Sequence, residues 1–249
     1  MIRPSLRRIA RAAYVAYGAA LIAAIMLVLW VVTGFVRRPR RAVALQCAVS
    51  RLLLACLGCR FTMGGAPCPL AAGPRVFIAN HSSYLDIPLM LAALNRDFAF
   101  VTKSELLEWP IISRITRAGA HIPVDRDRLE SRGAVVARIV KTLRAGRSVL
   151  VFPEGTFSHD DRLRPFHAGA FKSAVKAGVP VVPIAVNGTA RLWSPHVRFP
   201  RPGRVEVWMG EPLELANLDG DEATEDEAAK IDMLRGAAVR FIEQHLGRS

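Results

Sequence analysis

Residues Ala12 to Val36 run for 25 positions without a charge, and arginines close both ends. A helix rises about 1.5 Å per residue, so this stretch can cross a hydrocarbon core about 30 Å thick. Trp30, Tyr14 and Tyr17 suit the membrane–water interface. A secretory signal would have a shorter apolar region, about 7–15 residues, followed by a small-residue cleavage site. Here "RRPRR" follows instead, which predicts a retained anchor. Arg3, Arg7, Arg8 and Arg11 precede the stretch, and Arg37, Arg38, Arg40 and Arg41 follow it. Equal flanks set no orientation by the positive-inside rule, but they suit anionic headgroups.

The formal charge of +13 belongs to this end of the chain. No Asp or Glu precedes Asp86, whereas eleven arginines do. The rest is nearly neutral, and no groove-reading motif accompanies the charge, so a nucleic-acid partner is not expected. A second apolar stretch, Ala42 to Phe61, carries Arg51 and Arg60. It predicts an amphipathic helix lying on the bilayer or against the first helix. Cys56 and Cys59 have C-x-x-C spacing, but no second ligand pair stands at zinc-site spacing. No metal is therefore expected.

"GGAPCPLAAGP" (Gly64 to Pro74) has the composition of a connector. The predicted organisation is a membrane segment over 1–63, a linker over 64–74 and an α/β domain over 75–249. Within that domain short β-branched or aromatic runs alternate with helical patterns. Predicted strands are Val76–Ala79, Phe98–Thr102, Val149–Phe152, Val181–Val186 and Val205–Met209. Predicted helices are Ile87–Leu94, Leu129–Ala145, Ala168–Ala177 and Glu225–His245, with Gly146 and Gly178 as C-caps. The expected fold is a mixed, largely parallel sheet flanked by helices, with reactive groups beyond the carboxyl ends of its strands.

Three strand ends carry polar signatures. In "FIANHSSYLDIP", His81 and Asp86 are five positions apart, which on one helix would set them roughly 140° apart. They meet only if His81 precedes the helix and Asp86 lies in its first turn. Ser83-x-x-Asp86 also resembles a capping box, with Asp86 at N3. The two roles are compatible. A carboxylate on one imidazole nitrogen fixes the tautomer, and the other nitrogen can then take a proton from a hydroxyl. The second signature is "FPEGT", Phe152 to Thr156, where Gly155 permits positive φ and Thr156 can cap a turn. The third is "VPVVPIAVNGT", in which Pro183 predicts a bulge or a strand start. His121, His159, His196 and His245 have no carboxylate at comparable spacing and are expected at the surface or in packing.

In this order and spacing, Asn80-His81-x4-Asp86, Phe152-Pro153-Glu154-Gly155-Thr156 and Val179-Pro180-x-x-Pro183-Ile184 resemble the lysophosphatidic acid acyltransferases of the glycerophospholipid acyltransferase superfamily. "FVTKSELLEWPIISRITRAGAHIPVDR" is similar to the family's second block, with Lys103, Pro110, Gly119, Asp125 and Arg126 at matching places. The resemblance covers about Val76 to Asn187. It implies transfer of an acyl chain from acyl-coenzyme A or acyl carrier protein to a lysophospholipid hydroxyl, without a cofactor. His81 would be the general base and Asp86 its partner. Glu154, Gly155 and Thr156 would help bind the acceptor. Arg126, joined by Lys103, would face its phosphate, since a guanidinium donates two parallel hydrogen bonds. Such an enzyme would sit in a bacterial inner membrane, facing the cytoplasm where acyl thioesters are found.

The family's third block commonly continues with arginine after Glu-Gly-Thr, and here the residue is Phe157. Many members carry lysine where this chain has His167. Arg162, Arg164 or Lys172 could compensate. Otherwise the acceptor would be another lysolipid, such as a lyso-ornithine lipid or lysophosphatidylglycerol. Two rival classes are a lipid hydrolase, for which no G-x-S-x-G elbow is present, and a non-catalytic lipid carrier, which would need no base at His81.

Overall fold

The computed structural model describes residues 4–66, 73–125, 131–157, 163–195, 197, 199–215 and 226–246. Helix α1 (Pro4–Phe35) contains the apolar stretch, and α2 (Pro39–Cys56) starts behind Pro39 at its first turn. Seven strands follow: β1 (Cys59–Gly65), β2 (Val76–Ala79), β3 (Phe98–Lys103), β4 (Ile122–Val124), β5 (Ser148–Val151), β6 (Val181–Asn187) and β7 (Gly203–Met209). They form one sheet in the order β1-β7-β6-β2-β5-β3-β4, parallel throughout except between β6 and β7.

Helices α3 (Asp86–Leu94), α4 (Pro110–Ala118), α5 (Ser131–Arg144) and α6 (Gly169–Ala177) connect the strands. A short α7 (Thr189–Leu192) follows β6, and α8 (Glu227–His245) closes the chain. The central strands are buried on both faces, as a covered parallel sheet requires. Phe77, Ala79, Leu150, Val182 and Ile184 join the core beneath α2 and α3. Their neighbours Val76, Ile78, Val149, Val181 and Ala185 join the core that includes residues of α5, α6 and α8. This alternation with period two puts helices on both faces. Gly146 (φ 80°) and Gly178 (φ 64°) end α5 and α6 in the left-handed conformation predicted for them.

The sequence boundary after residue 63 does not hold. Gly58, at φ 68°, ends the helical run, and Cys59–Gly65 pairs in parallel with β7. The predicted helix over Ala42–Phe61 is therefore a helix to Cys56 and then an edge strand. The pairing is long-range, so nothing in the local pattern reports it. Cys59 is buried in the strand, and burial pushes its thiol up to about 11. Such a thiol is a packing group rather than a nucleophile.

Pro183 has the expected consequence. Val181 bridges Leu213 and Ile184 pairs with Met209, leaving two residues opposite three. Proline has no N–H for the ladder, so the antiparallel edge bulges there while the parallel pairing with Ile78 continues.

The apolar stretch lies along the domain. Tyr14 Oη donates to the Leu57 carbonyl (2.9 Å), and a Cβ on Gly18 would meet the Phe199 ring at 2.6 Å. Ile25 and Leu29 are buried in the core, and Arg114 Nη1 donates to the Trp30 carbonyl (3.3 Å). The opposite face shows Leu27, Val28, Val31, Val32 and Phe35 to solvent. The region Arg8–Phe35 is long and apolar enough to cross a membrane by length and composition.

Candidate active site

The carboxyl ends of β6, β2 and β5 are adjacent, and each carries one of the three signatures. At the end of β2, Asn80 reads the backbone of β6 in both directions. Its Nδ2 donates to the Val186 carbonyl (2.9 Å), and its Oδ1 accepts from the Val186 N–H (2.8 Å). This clamp fixes where the chain leaves the sheet.

The next residue is His81. Its Nδ1 lies 2.8 Å from Asp86 Oδ2. The same oxygen accepts from the backbone N–H of Ser82 (2.8 Å) and Ser83 (2.9 Å). With three N–H groups converging on it, Oδ2 assigns the proton to Nδ1 and leaves Nε2 with its lone pair. Asp86 is fully buried, and its Oδ1 has no hydrogen-bond partner.

The capping prediction is half realised. The Asp86 carboxylate accepts the Ser83 N–H, as the N3 residue of a capping box does. The Ser83 hydroxyl instead accepts from Leu85 N–H (3.0 Å) and donates to the Trp193 carbonyl. The helix itself begins at Asp86, behind Leu85. The hydroxyl is drawn to Trp193 because the segment after β6 folds over this loop, which the local sequence does not reveal.

Glu154, beyond the end of β5, is buried and holds two backbone groups. Its Oε1 accepts from His81 N–H (2.7 Å), and its Oε2 accepts from Arg164 N–H (3.0 Å). Burial pushes its carboxyl up, while these N–H donors pull it back down. Both oxygens are thus engaged in positioning the His81 backbone and the returning loop. Gly155 takes φ 75°, which a side chain at that position would strain. Thr156 is exposed.

Aromatic rings enclose the imidazole. Phe152 stacks on it at 4.1 Å between centroids and 15° between planes, and Phe157 lies on it at 4.3 Å and 45°. Tyr84 meets Phe157 edge-on at 4.9 Å and Trp193 at 5.4 Å. His81 is only 8% exposed as a result. The ring contacts of Phe152, Tyr84 and Trp193 have no local sequence signal, because rings distant along the chain meet only through the sheet order. Phe157 was singled out for the cation it lacks, not for the ring contact it makes.

Lys103 ends β3, one strand beyond β5; it is exposed, and its ammonium pairs with Glu105 (2.9 Å). Arg126, Arg162, His159 and His196 lie outside the described residues. His121 is a packing residue. Its Nδ1 accepts from Phe100 N–H (3.1 Å), and its Nε2 lies 3.0 Å from Gln46 Oε1. His245 stacks on Phe241 at 4.2 Å.

A buried base, oriented by a carboxylate and shielded from bulk water, can take a proton from a hydroxyl that attacks an acyl carbonyl. A family model for acyltransferases matches residues 66–187. A chloroplastic 1-acyl-sn-glycerol-3-phosphate acyltransferase of Brassica napus is 38% identical over 67% of this chain and 49% of its own. A lyso-ornithine lipid O-acyltransferase of Rhizobium meliloti is 32% identical over 70% of this chain and 60% of its own. The chain spans about half the length of the curated relatives it matches. The crystal structure of the 1-acyl-sn-glycerophosphate acyltransferase PlsC from Thermotoga maritima has the same fold, with a TM-score of 0.75, 23% identity and 98% and 99% of the two chains covered. The chain belongs to the acyltransferase family, among the relatives of the 1-acyl-sn-glycerol-3-phosphate acyltransferases.

Proposed function

We propose that the protein is a membrane-bound O-acyltransferase that moves a fatty acyl chain from acyl-coenzyme A or acyl carrier protein to the free hydroxyl of a lysophospholipid, with 1-acyl-sn-glycerol-3-phosphate as acceptor and phosphatidic acid as product. The 2.8 Å contact between His81 Nδ1 and Asp86 Oδ2 carries this reading. His81 Nε2 accepts the hydroxyl proton as the oxygen attacks the thioester carbonyl. The Asp86 carboxylate stabilises the imidazolium that forms. The tetrahedral intermediate collapses by breaking the carbon–sulfur bond, and the proton passes from Nε2 to the departing thiolate. Acyl-enzyme and cofactor are not needed. Glu154 positions the His81 backbone, and Arg126 and Lys103 are the cations assigned to the acceptor's phosphate.

A second reading rests on Phe157. The ring that covers His81 stands where the family commonly has arginine, and two lyso-ornithine lipid O-acyltransferases are 35% and 32% identical to this chain. An acceptor without a phosphomonoester suits an aromatic wall better than a dianion does.

The chain is assigned to the cytoplasmic face of a bacterial inner membrane, with α1 lying in the interface rather than crossing it. From Tyr14 to Gly34 the helix is packed on the domain along one side, a length of about 30 Å and equal to a hydrocarbon core. An upright helix would carry that flank of the domain, with Arg114, into the bilayer. An in-plane helix immerses exposed apolar residues such as Leu27, Val28, Val31, Val32 and Phe35.

The test offers labelled acyl-coenzyme A and acyl-carrier-protein with lysophosphatidic acid or lyso-ornithine lipid to membranes containing wild type or His81→Ala. His81-dependent phosphatidic acid is expected. Product from lyso-ornithine lipid alone would transfer the assignment to the second reading. Fatty acid release without acceptor would make the protein a hydrolase.

A further inference from the structure

The C-terminal end of α1 and helix α4 enclose an open cleft of roughly 430 Å³, within the range of about 300–1,000 Å³ typical of ligand sites. Thr33, Gly34 and Val36 line one side, and Ser113, Arg114 and Arg117 line the other. Arg114 and Arg117 are three residues apart and so project from one face of α4.

The Arg114 guanidinium is held in place. It lies over the Trp30 ring, 4.3 Å from the centroid, and donates to the Trp30 carbonyl (3.3 Å). Gly34 makes room for it, since a Cβ there would come within 2.9 Å of Nη1. One donor is engaged and four remain. Among the described residues no carboxylate lies within ion-pair distance of Arg114 or Arg117. Arg37 and Arg38 follow directly in the chain and are exposed.

The rim is apolar. Phe35 is 83% exposed, and Trp109 and Ile111 flank Pro110, which also lines the cleft, at 66% and 38% exposed. Phe35 continues the exposed stripe of α1. A site with a preorganised guanidinium, a second arginine and apolar neighbours, at the end of an in-plane apolar helix, matches a phosphodiester attached to acyl chains.

We propose that this cleft binds the anionic headgroup of a bilayer phospholipid that is not the reacting acceptor. Arg114 and Arg117 hold the phosphodiester, and the lipid chains continue along Phe35, Trp109 and Ile111. The proposal rests on the interfacial reading of α1 and not on the acyl-transfer chemistry. Its test therefore needs no turnover.

The purified full chain would be floated with vesicles of phosphatidylcholine alone or with added phosphatidylglycerol. A diffuse basic surface loses about fivefold in binding per arginine removed. Arg114→Gln with Arg117→Gln should cost at least tenfold more of the phosphatidylglycerol preference than Arg37→Gln with Arg38→Gln, which removes the same charge outside the cleft. Gly34→Leu leaves the charge unchanged and displaces Arg114. It should reduce the same preference about tenfold while keeping binding to phosphatidylcholine, with the thermal midpoint as the check on folding. Wild-type preference in Gly34→Leu would overturn the proposal, because the arginines would then act only as diffuse charge. Inorganic phosphate binding that the Arg114/Arg117 variant loses, with phosphatidylglycerol preference intact in that variant, would assign the cleft to free phosphate and overturn it. Loss of acyl-carrier-protein binding in the Arg114/Arg117 variant, with phosphatidylglycerol preference intact, would assign it to an acidic protein and overturn it as well.

Discussion

Replacing Asp86 with asparagine removes one charge and keeps the shape. In the wild type, Oδ2 sits 2.8 Å from His81 Nδ1 in a fully buried position. When His81 takes the acceptor's proton, an imidazolium forms about 4 Å from the carboxylate charge. At an effective dielectric constant of about 20 that pair is worth about 4 kcal/mol, an upper limit for the transition-state loss. The expected fall in kcat is therefore up to about 10³-fold. An asparagine oxygen still accepts the Ser82 and Ser83 N–H groups, so the loop is retained. The new amide nitrogen has no partner at the buried Oδ1 position, which adds a stability cost of about 1–3 kcal/mol. The assay is single-turnover acyl transfer, in membranes, for wild type, Asp86→Asn, His81→Ala and the double variant. If Asp86 acts through His81, Asp86→Asn costs nothing further in the His81→Ala background. A kcat within fivefold of wild type for Asp86→Asn, or full additivity in the double variant, would refute the reasoning.

Phe157→Arg is expected to improve lysophosphatidic acid use relative to lyso-ornithine lipid by about tenfold in kcat/KM, since a guanidinium–phosphate contact is worth about 1.5–3 kcal/mol before its own desolvation; competition between the two acceptors measures it. Glu154→Ala leaves the His81 and Arg164 N–H groups without their shared acceptor and should destabilise by about 3 kcal/mol, seen as a lowered thermal midpoint, whereas Glu154→Gln should keep part of that loss back. Burial, reinforced by the Arg147 charge, holds the His121 imidazole down at about 3, below its ordinary 6.5. Its folded state therefore binds fewer protons than its unfolded state. The associated stability is present above about pH 6.5 and falls as pH drops toward 3, at up to about 1.4 kcal/mol per pH unit. His121→Gln should flatten the stability–pH curve between pH 6.5 and 4, and an unchanged slope would assign the acid sensitivity elsewhere.

The strands and helices from Val76 onward were legible because their signals are local. β2 runs over Val76–Ala79 as predicted, α3 begins one residue earlier than expected, and Gly146 and Gly178 cap where a φ above zero is needed. The histidine–aspartate pair was legible for the same reason. His81 and Asp86 are five positions apart, and only a strand end followed by a helix start brings them together. Neither β4 nor α4 was anticipated. β4 is three residues long and has little local signature, whereas α4 starts at Pro110 and does carry a local amphipathic pattern. For Glu154 only the structure shows that both oxygens hold backbone N–H groups, those of His81 and Arg164.

Sequence alone determined a long apolar helix edged by arginine, an α/β body and a histidine–aspartate pair at a strand end, because each depends on neighbours within a few positions. Only tertiary structure decided that Cys59–Gly65 joins the sheet, since its partner β7 lies some 140 residues away. It also decided that Phe152 and Phe157 enclose His81 and that α1 lies along the domain. Those outcomes follow from strand order and from which helix face is already covered. Neither is encoded in the residues adjacent to the ones it affects.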